Sequence, residues 1–344
     1  MTGPPTWTRR GVLTALLAAG AGCTTETDDS TTSTQEPSDP ETPTDEPSER
    51  STTSAPTPTE TATTTEEPTA TDEPTTEEPT TTAESMEEIT DVAFRETPQR
   101  TLRLDLYLPS TEESSPFVVY AHGGGWIGGD KGHRPMFDRL VEEGFAVADI
   151  QYRLAQEKQY PAAVRDVVAA VKWVRANAGE YGIDSERGAL AGYSAGAHLA
   201  ALVAVAPDHE NFQPDEFHPD VPVGVDALVG YSGPYDFTES GIGENPLVAA
   251  FFGADAPTER LEEGSPVSHV EGDDPPALLI HGTDDNVVPY RSTTALADAY
   301  RNAGVPVDVL TGDGAGHGMI DNDEWREETL PSQEQFLADH LLTQ

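Results

Sequence analysis

The stretch 188–204, GALAGYSAGAHLAALVA, puts a serine where one kind of secondary structure changes to another. The short apolar run before Gly192 predicts a buried strand, and the alanine-rich run after Ser194 predicts a helix. Gly192 and Gly196 flank the serine, which lets the strand and the helix approach each other closely around a sharp turn. The chain must therefore fold so that a buried strand passes directly into a helix, and this favours an α/β arrangement.

The rest of the region after residue 88 shows the same alternation of strand-like and helix-like runs. We predict strands near residues 102–108, 117–121, 145–150, 188–192, 225–231, 277–281 and 306–310, and helices near 135–143, 161–178, 195–206, 290–303 and 331–342. The interior strands are continuous apolar runs, as expected when both faces of a sheet are covered. About 256 residues can bury a substantial core. Residues 89–344 are therefore predicted to form one α/β domain with a mostly parallel sheet and helices on both faces.

The stretch from about 232 to 275 interrupts this alternation. It is rich in glycine, proline and acidic residues, and its one helical patch runs from Pro246 to Phe252. Loops of this length inside a domain are usually functional or disordered. We expect a small lid or insertion over the carboxyl-terminal edge of the sheet.

Residues 1–23 resemble an export signal that ends in a lipidation site. Arg9 and Arg10 precede an apolar run over 11–22, which is shorter than the roughly 20 residues that a membrane-spanning helix needs. The arginine pair indicates the twin-arginine route. Cys23, the only cysteine of the chain, follows this run directly, as in a lipoprotein signal whose cysteine becomes the lipidated N-terminus. We expect a protein that is lipid-anchored at the extracellular face of the cell membrane or secreted.

Residues 24–88 form a tract rich in threonine, proline and glutamate. The tract has too few apolar residues to offset the entropy of ordering the chain. We interpret it as a disordered stalk whose threonines are candidates for O-glycosylation.

The part of the chain that is predicted to fold is strongly acidic. Residues 89–344 carry 16 Lys and Arg against 43 Asp and Glu, and the only lysines of the whole chain are Lys131, Lys158 and Lys172. Such a surface repels nucleic acid and anionic lipid headgroups. We therefore expect no nucleic-acid partner, and membrane attachment only through the N-terminal lipid. The spread of charge through the domain resembles that of proteins from strongly saline surroundings.

The stretch 120–132, YAHGGGWIGGDKG, places three glycines directly after a predicted strand. Glycine there allows backbone torsions that are closed to other residues and lets a ligand approach the amide N–H groups closely. Two functions need this feature, which are the binding of a phosphate and the binding of a developing oxyanion.

The phosphate alternative has support in the spacing of the glycines. Gly123, Gly125 and Gly128, with Asp149 at the end of a second strand, fit a dinucleotide fingerprint. That fingerprint requires a helix to begin at the glycines, so that its N-terminus faces the pyrophosphate. Here the bulky Trp126 and a polar stretch up to residue 135 intervene, which favours the oxyanion interpretation.

A serine hydroxyl is a weak nucleophile and needs a base that is itself oriented by a carboxylate. Asp284 and Asp285 follow a predicted core strand, and His317 lies in a glycine-rich loop after the last strand. From the residues alone either aspartate could be the carboxylate. We interpret His198, four residues after Ser194 on the same helix, as a packing or supporting residue.

Together these stretches resemble an α/β-hydrolase of the esterase/lipase group with an HGGGW oxyanion motif. The motifs that carry the resemblance are HGGGW at 122–126, GYSAG at 192–196, HGTDDNVVP at 281–289 and GAGHG at 314–318. The resemblance covers nearly all of residues 100–344. Within this group, the chain most resembles the small-lid branch, which includes acetyl- and feruloyl-type esterases and kynurenine formamidase-like amidases.

The resemblance implies a serine hydrolase that cleaves carboxylic esters through an acyl-enzyme, without a metal or organic cofactor. In this group the chain order of the triad is Ser, Asp, His, so Ser194 would be the nucleophile and His317 the general base and acid. The aspartate of the family falls four residues after the histidine of the HG dipeptide, which is His281 here. This spacing selects Asp285 and leaves Asp284 as a solvated turn residue.

The resemblance also assigns the glycine loop a role. Backbone N–H groups of Gly123, Gly124 or Gly125, with that of Ala195, would stabilise the oxyanion of the tetrahedral intermediate, and the choice among the glycines stays open. His122 would brace the loop.

Three alternatives remain beside an esterase that acts on a small-molecule or glycan ester. An amidase or peptidase of the same fold, for example one resembling arylformamidase, would use the same residues. A non-catalytic binding member would need a broken triad, and a structural envelope protein would leave the spacing of serine, aspartate and histidine unexplained. The sequence indicates no oligomeric state.

Overall fold

The computed structural model describes residues 86–239 and 245–342. The predicted signal over 1–23 with Cys23, and the stalk over 24–88 apart from its last three residues, therefore lie outside the described residues. Within the described ranges, no helix combines the length and the apolar character that crossing a membrane requires.

A single sheet of eight strands forms the centre of the described residues. The strands are β1 (Glu87–Glu96), β2 (Thr101–Leu108), β3 (Ser115–Ala121), β4 (Ala146–Ile150), β5 (Ile183–Tyr193), β6 (Ala227–Tyr231), β7 (Ala277–Gly282) and β8 (Val307–Gly312). Their order across the sheet is β1-β2-β4-β3-β5-β6-β7-β8. β1 and β2 pair with each other antiparallel, as do β2 and β4, and the remaining pairs are parallel.

Seven α-helices accompany the sheet in the described residues. They are α1 (Pro135–Glu142), α2 (Ala162–Asn177), α3 (Ala195–Val205), α4 (Pro246–Phe252), α5 (Thr258–Glu263), α6 (Arg291–Ala303) and α7 (Asp323–Leu341). The buried residues of α2, α3 and α6 pack on one face of the sheet, and those of α1 and α7 pack on the other. The prediction of a mostly parallel sheet with helices on both faces is confirmed.

Outside the insertion, β1 and α7 differ from the prediction. β1 was not predicted, because as an edge strand it is mostly exposed and lacks a continuous apolar run; it begins two residues before the predicted domain start at 89. α7 begins at Asp323 and not near residue 331. The predicted start coincides with Pro331, and proline favours the first turn of a helix. In the structure the helix starts about two turns earlier, because the Asn322 side chain accepts hydrogen bonds from the amides of Glu324 (3.0 Å) and Trp325 (3.3 Å).

In its described residues, 232–239 and 245–275, the predicted insertion contains two short α-helices instead of one. α4 coincides with the predicted helical patch, and α5 was missed because its sequence, TERLEE, has almost no apolar residues and buries none. Phe237, Phe251 and Phe252 of this segment lie in the same apolar cluster as α2 and α3. Part of the insertion is thus packed into the apolar core, whereas a lid alone would only lie over the edge of the sheet.

The register of the parallel strands brings particular loops together. Ala121 at the end of β3 lies beside Gly192 of β5, and Gly282 at the end of β7 lies beside Gly312 of β8. Because parallel strands end at the same edge of the sheet, the loops after these four strands leave the sheet side by side. These loops carry the glycines, the serine, the aspartates and His317.

Candidate active site

Ser194 lies at the turn between β5 and α3 in a backbone conformation that side chains rarely adopt. Its φ and ψ are 54° and −117°, and a positive φ at a residue other than glycine is strained. The surrounding backbone holds it there, since the Ser194 amide donates to the Tyr231 carbonyl (2.8 Å) and the His198 amide donates to the Ser194 carbonyl (3.1 Å). The turn projects the hydroxyl away from the strand end, as an exposed nucleophile requires.

Gly196 explains why small residues surround the serine. A Cβ atom at this position would lie 2.0 Å from the carbonyl oxygen of Ala121 at the end of β3. Any side chain would therefore force α3 away from β3. The close approach places the first turn of α3 beside the loop that follows β3, where the three glycines lie.

His317 reaches Ser194 from the loop after β8. The Ser194 hydroxyl donates to Nε2 of His317 at 3.0 Å. The hydroxyl of Tyr193 donates to the His317 carbonyl at 2.9 Å, and the two rings lie 5.2 Å apart. Tyr193, which directly precedes Ser194, thus fixes the backbone of His317.

Asp285 lies on the far side of the His317 ring. Nδ1 of His317 donates to Oδ2 of Asp285 at 2.7 Å, and this bond leaves Nε2 free to accept from the serine hydroxyl. The amides of Val287 (2.8 Å) and Val288 (2.9 Å) donate to Oδ1. Asp284 is exposed, and of the two aspartates the structure brings only Asp285 to the ring.

The environment of Asp285 keeps its carboxylate charged. Burial by itself would raise the pKa of Asp285, but hydrogen bonds from His281, from His317 and from the amides of Val288 and Val287 hold this pKa well below its usual range. The side chain of Asp285 is fully buried. A permanently ionised carboxylate fixes the proton of His317 on Nδ1.

His281 is a site residue whose role the sequence analysis missed. Its Nε2 donates to Oδ2 of Asp285 (3.0 Å) and to the Val288 carbonyl (3.0 Å), and its Nδ1 accepts from the Thr293 hydroxyl (2.6 Å). The ring is fully buried. A histidine inside the apolar strand ALLIHG was the available signal, because a buried polar ring needs hydrogen-bond partners.

The glycine loop after β3 makes a tight turn. The Gly124 carbonyl accepts hydrogen bonds from the amides of Ile127 (3.2 Å) and Gly128 (3.0 Å). Gly124 has a φ of +120°, and a Cβ atom there would lie 2.2 Å from the Gly128 carbonyl oxygen, so only glycine fits. α1 begins ten residues after Gly125, and the loop is therefore not the helix N-terminus that a dinucleotide site needs.

His122 is fixed at the start of this loop. Its Nδ1 donates to the Gly123 carbonyl (2.7 Å), and its ring stacks on Tyr152 with centroids 4.2 Å apart. The Tyr152 hydroxyl donates to the His122 carbonyl at 2.8 Å. Burial lowers the pKa of His122 to about 4, although its bond to Gly123 acts in the opposite direction. At neutral pH this histidine is an uncharged support of the loop.

The loop and the start of α3 present several unpaired donors. Within residues 86–239 and 245–342, the amides of Gly123, Gly124, Gly125 and Ala195 donate to no protein acceptor. Ala195 is the first residue of α3, where amide groups carry the positive end of the helix dipole. Such donors beside a nucleophile are suited to hold the negative oxygen of a tetrahedral intermediate.

A cavity of about 280 Å³ opens beside Ser194. Its walls are mainly apolar and include Gly125, Trp126, Leu247, Val248, Val287 and Val288. Leu247 and Val248 come from α4, so the insertion forms part of the wall.

In the described part of the chain, no group of three or more His, Cys, Asp or Glu side chains is arranged to hold a metal ion.

Comparison with known proteins identifies relatives of this chain. The BD-FAE family model matches residues 104–300. Esterase LipC of Mycobacterium tuberculosis is 31% identical over 215 residues, which are 60% of this chain and 53% of that protein. The chain spans about half the length of the curated relatives that it matches.

Solved structures of esterases share the fold. A truncated carbohydrate esterase from gut microbiota aligns with a TM-score of 0.67 and 27% identity, over 74% of this chain and 96% of that chain. The butyrate-bound form of the thermophilic esterase Est2 from Thermogutta terrifontis aligns with a TM-score of 0.65 and 26% identity, over 74% and 96% of the two chains. These similarities confirm the predicted α/β-hydrolase fold.

Proposed function

The chain belongs to the BD-FAE family of α/β-hydrolases, and we propose that it is a serine hydrolase that cleaves carboxylic esters through an acyl-enzyme. The observation that carries the proposal is the hydrogen-bonded series from Ser194 to Nε2 of His317 (3.0 Å) and from Nδ1 of His317 to Asp285 (2.7 Å). The esterase names of the relatives agree with it.

In the proposed acylation, Oγ of Ser194 attacks the ester carbonyl carbon while its proton passes to Nε2 of His317. The carbonyl oxygen becomes an oxyanion, which accepts hydrogen bonds from the Ala195 amide and from amides of the Gly123–Gly125 loop. The carbon–oxygen bond to the alcohol then breaks, and His317 returns the proton to the leaving oxygen. Asp285 stabilises the imidazolium that forms in between and stays ionised throughout.

Deacylation repeats these steps with water. His317 takes a proton from the water as its oxygen attacks the acyl carbon, and the same amides hold the second oxyanion. The bond between the acyl carbon and Oγ then breaks, and Ser194 recovers its proton from His317. The products are the carboxylic acid and the free enzyme.

The cavity beside Ser194 supports a substrate with a small apolar group on one side of the ester bond. Its volume of about 280 Å³ is smaller than the roughly 300–1,000 Å³ of pockets that bind drug-sized ligands. Of the neighbours, one is described as a carbohydrate esterase and one has butyrate bound. We propose short-chain esters, with a sugar or another small alcohol as the leaving group.

A panel of p-nitrophenyl esters with graded acyl length, run beside acetylated sugars and N-formylkynurenine, tests this proposal. We expect kcat/KM to be greatest for short acyl chains and to fall as the chain outgrows the cavity. Ser194→Ala is the control for contaminating hydrolases. Turnover of N-formylkynurenine without ester hydrolysis would replace the esterase with an amidase, and the absence of any Ser194-dependent turnover would contradict the proposal.

On the sequence alone we also propose that the protein is exported and anchored through a lipid on Cys23. The support is the arginine pair, the short apolar run and the position of the single cysteine directly after it. Residues 24–88 would then separate the catalytic domain from the membrane.

A further inference from the structure

His198 on α3 is a buried histidine that the proposed mechanism does not use. Its ring is fully buried and has a partner on each nitrogen. Nε1 of Trp126 lies 3.1 Å from Nδ1, and the carbonyl oxygen of Gly264 lies 2.8 Å from Nε2. Trp126 belongs to the glycine loop, and Gly264 follows α5 in the insertion.

The two partners allow only one protonation state. An indole N–H can only donate and a carbonyl can only accept, so Nδ1 must carry a lone pair while Nε2 carries the proton. Burial lowers the pKa of His198 to about 4, although the bond to Gly264 acts in the opposite direction. At neutral pH the ring is therefore neutral and both hydrogen bonds are intact.

Trp126 connects this histidine to the proposed oxyanion site. It follows Gly125 directly, is almost fully buried and has a positive φ of 60°. Its carbonyl accepts from the Ala155 amide at 2.7 Å, and its ring stacks on Phe251 of α4 with centroids 4.8 Å apart. A residue held at so many points fixes the backbone next to it, and that backbone includes the Gly125 amide.

We propose that His198 is a positioning residue, which holds the oxyanion loop in its working conformation by joining Trp126 to the insertion at Gly264. The inference rests on the proposed function, because it assumes that the loop amides stabilise an oxyanion. It gives the insertion a second role beside shaping the cavity. α4 supports Trp126 by ring stacking, and the end of α5 supports it through His198.

The position of His198 allows two variants that separate its two bonds. His198→Asn keeps an acceptor near the place of Nδ1 but cannot reach Gly264, whereas His198→Phe keeps a ring and removes both bonds. Trp126→Phe removes the indole donor and keeps an aromatic ring to stack on Phe251. His269 is the matched control, since it also donates to an insertion carbonyl, that of Glu263 at 2.8 Å, but makes no hydrogen bond to Trp126.

The kinetic test is the split between kcat and KM on a short-chain ester. A displaced oxyanion donor weakens transition-state binding more than substrate binding, and a misplacement of about 1 Å can cost about 10²-fold. We expect His198→Phe to lower kcat by about 10- to 100-fold with KM changed by less than about threefold, and Trp126→Phe, whose side chain also lines the cavity, to lower kcat by a similar factor. His198→Asn should lose less than His198→Phe, and His269→Phe should stay within about twofold of the native chain.

The double variant decides whether the effect passes through Trp126. If it does, His198→Phe combined with Trp126→Phe lowers kcat little further than either alone, because both remove the same hydrogen bond. Additive losses, or losses that follow the melting temperature in every variant including His269→Phe, would show that His198 is only a core residue and would overturn the inference.

A readout without turnover keeps this inference distinct from the proposed function. The chain has four tryptophans, and ¹⁵N-labelled indole signals can be assigned with Trp126→Phe. The Trp126 indole proton should exchange slowly in the native chain and rapidly in His198→Phe. Rapid exchange in the native chain would overturn the inference even if the enzyme is active, whereas slow exchange in a chain without esterase activity would contradict only the proposed function.

Discussion

Asp285 receives hydrogen bonds from two histidines, and only one of them, His317, also contacts Ser194. His317 lies between the carboxylate and Ser194, whereas His281 is fully buried behind it and is held by Thr293. His281 therefore acts on the charge of Asp285 and not on the substrate. In the proposed mechanism, this arrangement keeps the Asp285 carboxylate ionised when His317 takes the serine proton.

Ser194→Ala is expected to lower kcat by roughly 10⁴-fold or more while the melting temperature stays close to that of the native chain. The oxyanion donors and the binding site alone supply only residual catalysis. Steady-state kinetics with thermal melts check this expectation. A fluorophosphonate probe followed by peptide mapping should label Ser194 and no other serine, and labelling elsewhere would contradict the assignment.

The two neighbouring aspartates provide a matched pair of substitutions. Asp285→Asn should lower kcat on the order of 10⁴-fold, since the neutral amide no longer holds the proton of His317 on Nδ1. Asp284→Asn should change kcat by less than about tenfold, because its side chain is exposed and does not contact the ring. Equal losses in the two variants would leave the choice of Asp285 without support.

The relative positions of the site residues depend on the register between neighbouring strands. β3 and β5 end side by side, which places the glycine loop next to the serine turn, and β7 and β8 end side by side, which places Asp285 next to His317. The insertion completes one wall through Leu247. The residues of the proposed mechanism are thus divided among several loops, and the sheet sets the distances between those loops.

The strand-like runs and the sharp turn at Ser194 could be predicted because they follow local rules, whereas the choice of Asp285 over Asp284 depended on the resemblance to the esterase/lipase group. A continuous apolar run shows a buried strand, and Gly192 and Gly196 show a close turn. His198 was predicted as a packing or supporting residue, but its partners, Trp126 and Gly264, could not be predicted because they lie 72 and 66 residues away along the chain. α5 escaped prediction for a related reason, since it buries none of its residues.

His122 gives the glycine loop a pH-dependent stability. Its pKa is lowered from 6.5 to about 4 in the folded chain, so the unfolded chain binds the proton first as the pH falls. The stabilising contribution is therefore fully present above about pH 6.5 and is lost as the pH falls through about 4. We expect the difference in the free energy of unfolding between the native chain and His122→Asn to shrink from pH 7 to pH 4.

Urea unfolding at several pH values measures this difference. Tyr152→Phe is the matched control, because it removes the bond to the His122 carbonyl (2.8 Å) without removing a group that titrates in this range. Its difference from the native chain should stay constant between pH 4 and 7. A constant difference for His122→Asn as well would show that the ring does not titrate as its burial implies.

The whole molecule carries more negative charge than its cations can pair. Residues 89–344 hold 16 Lys and Arg and 43 Asp and Glu, so at least 27 carboxylates lack a cation even if every Lys and Arg pairs with one. Many of these cations are engaged in local ion pairs, for example Lys131 with Asp105 at 2.7 Å. The remaining carboxylates repel one another and favour an expanded chain.

Cys23→Ser tests the proposed anchor. The apolar run over 11–22 is too short to hold the protein in a bilayer unaided, so the variant should be soluble or unprocessed where the native chain is membrane-associated. Fractionation of cells that express each form, with mass spectrometry of the mature N-terminus, measures this. A native chain in the medium whose N-terminus is not residue 23 would contradict the anchor.

The excess of carboxylates predicts that salt stabilises the protein. At about 0.1 M salt the screening length is roughly 10 Å, so neighbouring surface carboxylates still repel, whereas at about 1 M it is roughly 3 Å and most of the repulsion is gone. We expect the melting temperature and the esterase activity to be higher at molar NaCl or KCl than at 0.1 M. Both salts should be equally effective, because screening does not distinguish the two cations. Thermal melts of the purified protein between about 0.1 and 3 M salt measure this, and a melting temperature that stays flat or falls would mean that repulsion between carboxylates does not limit stability.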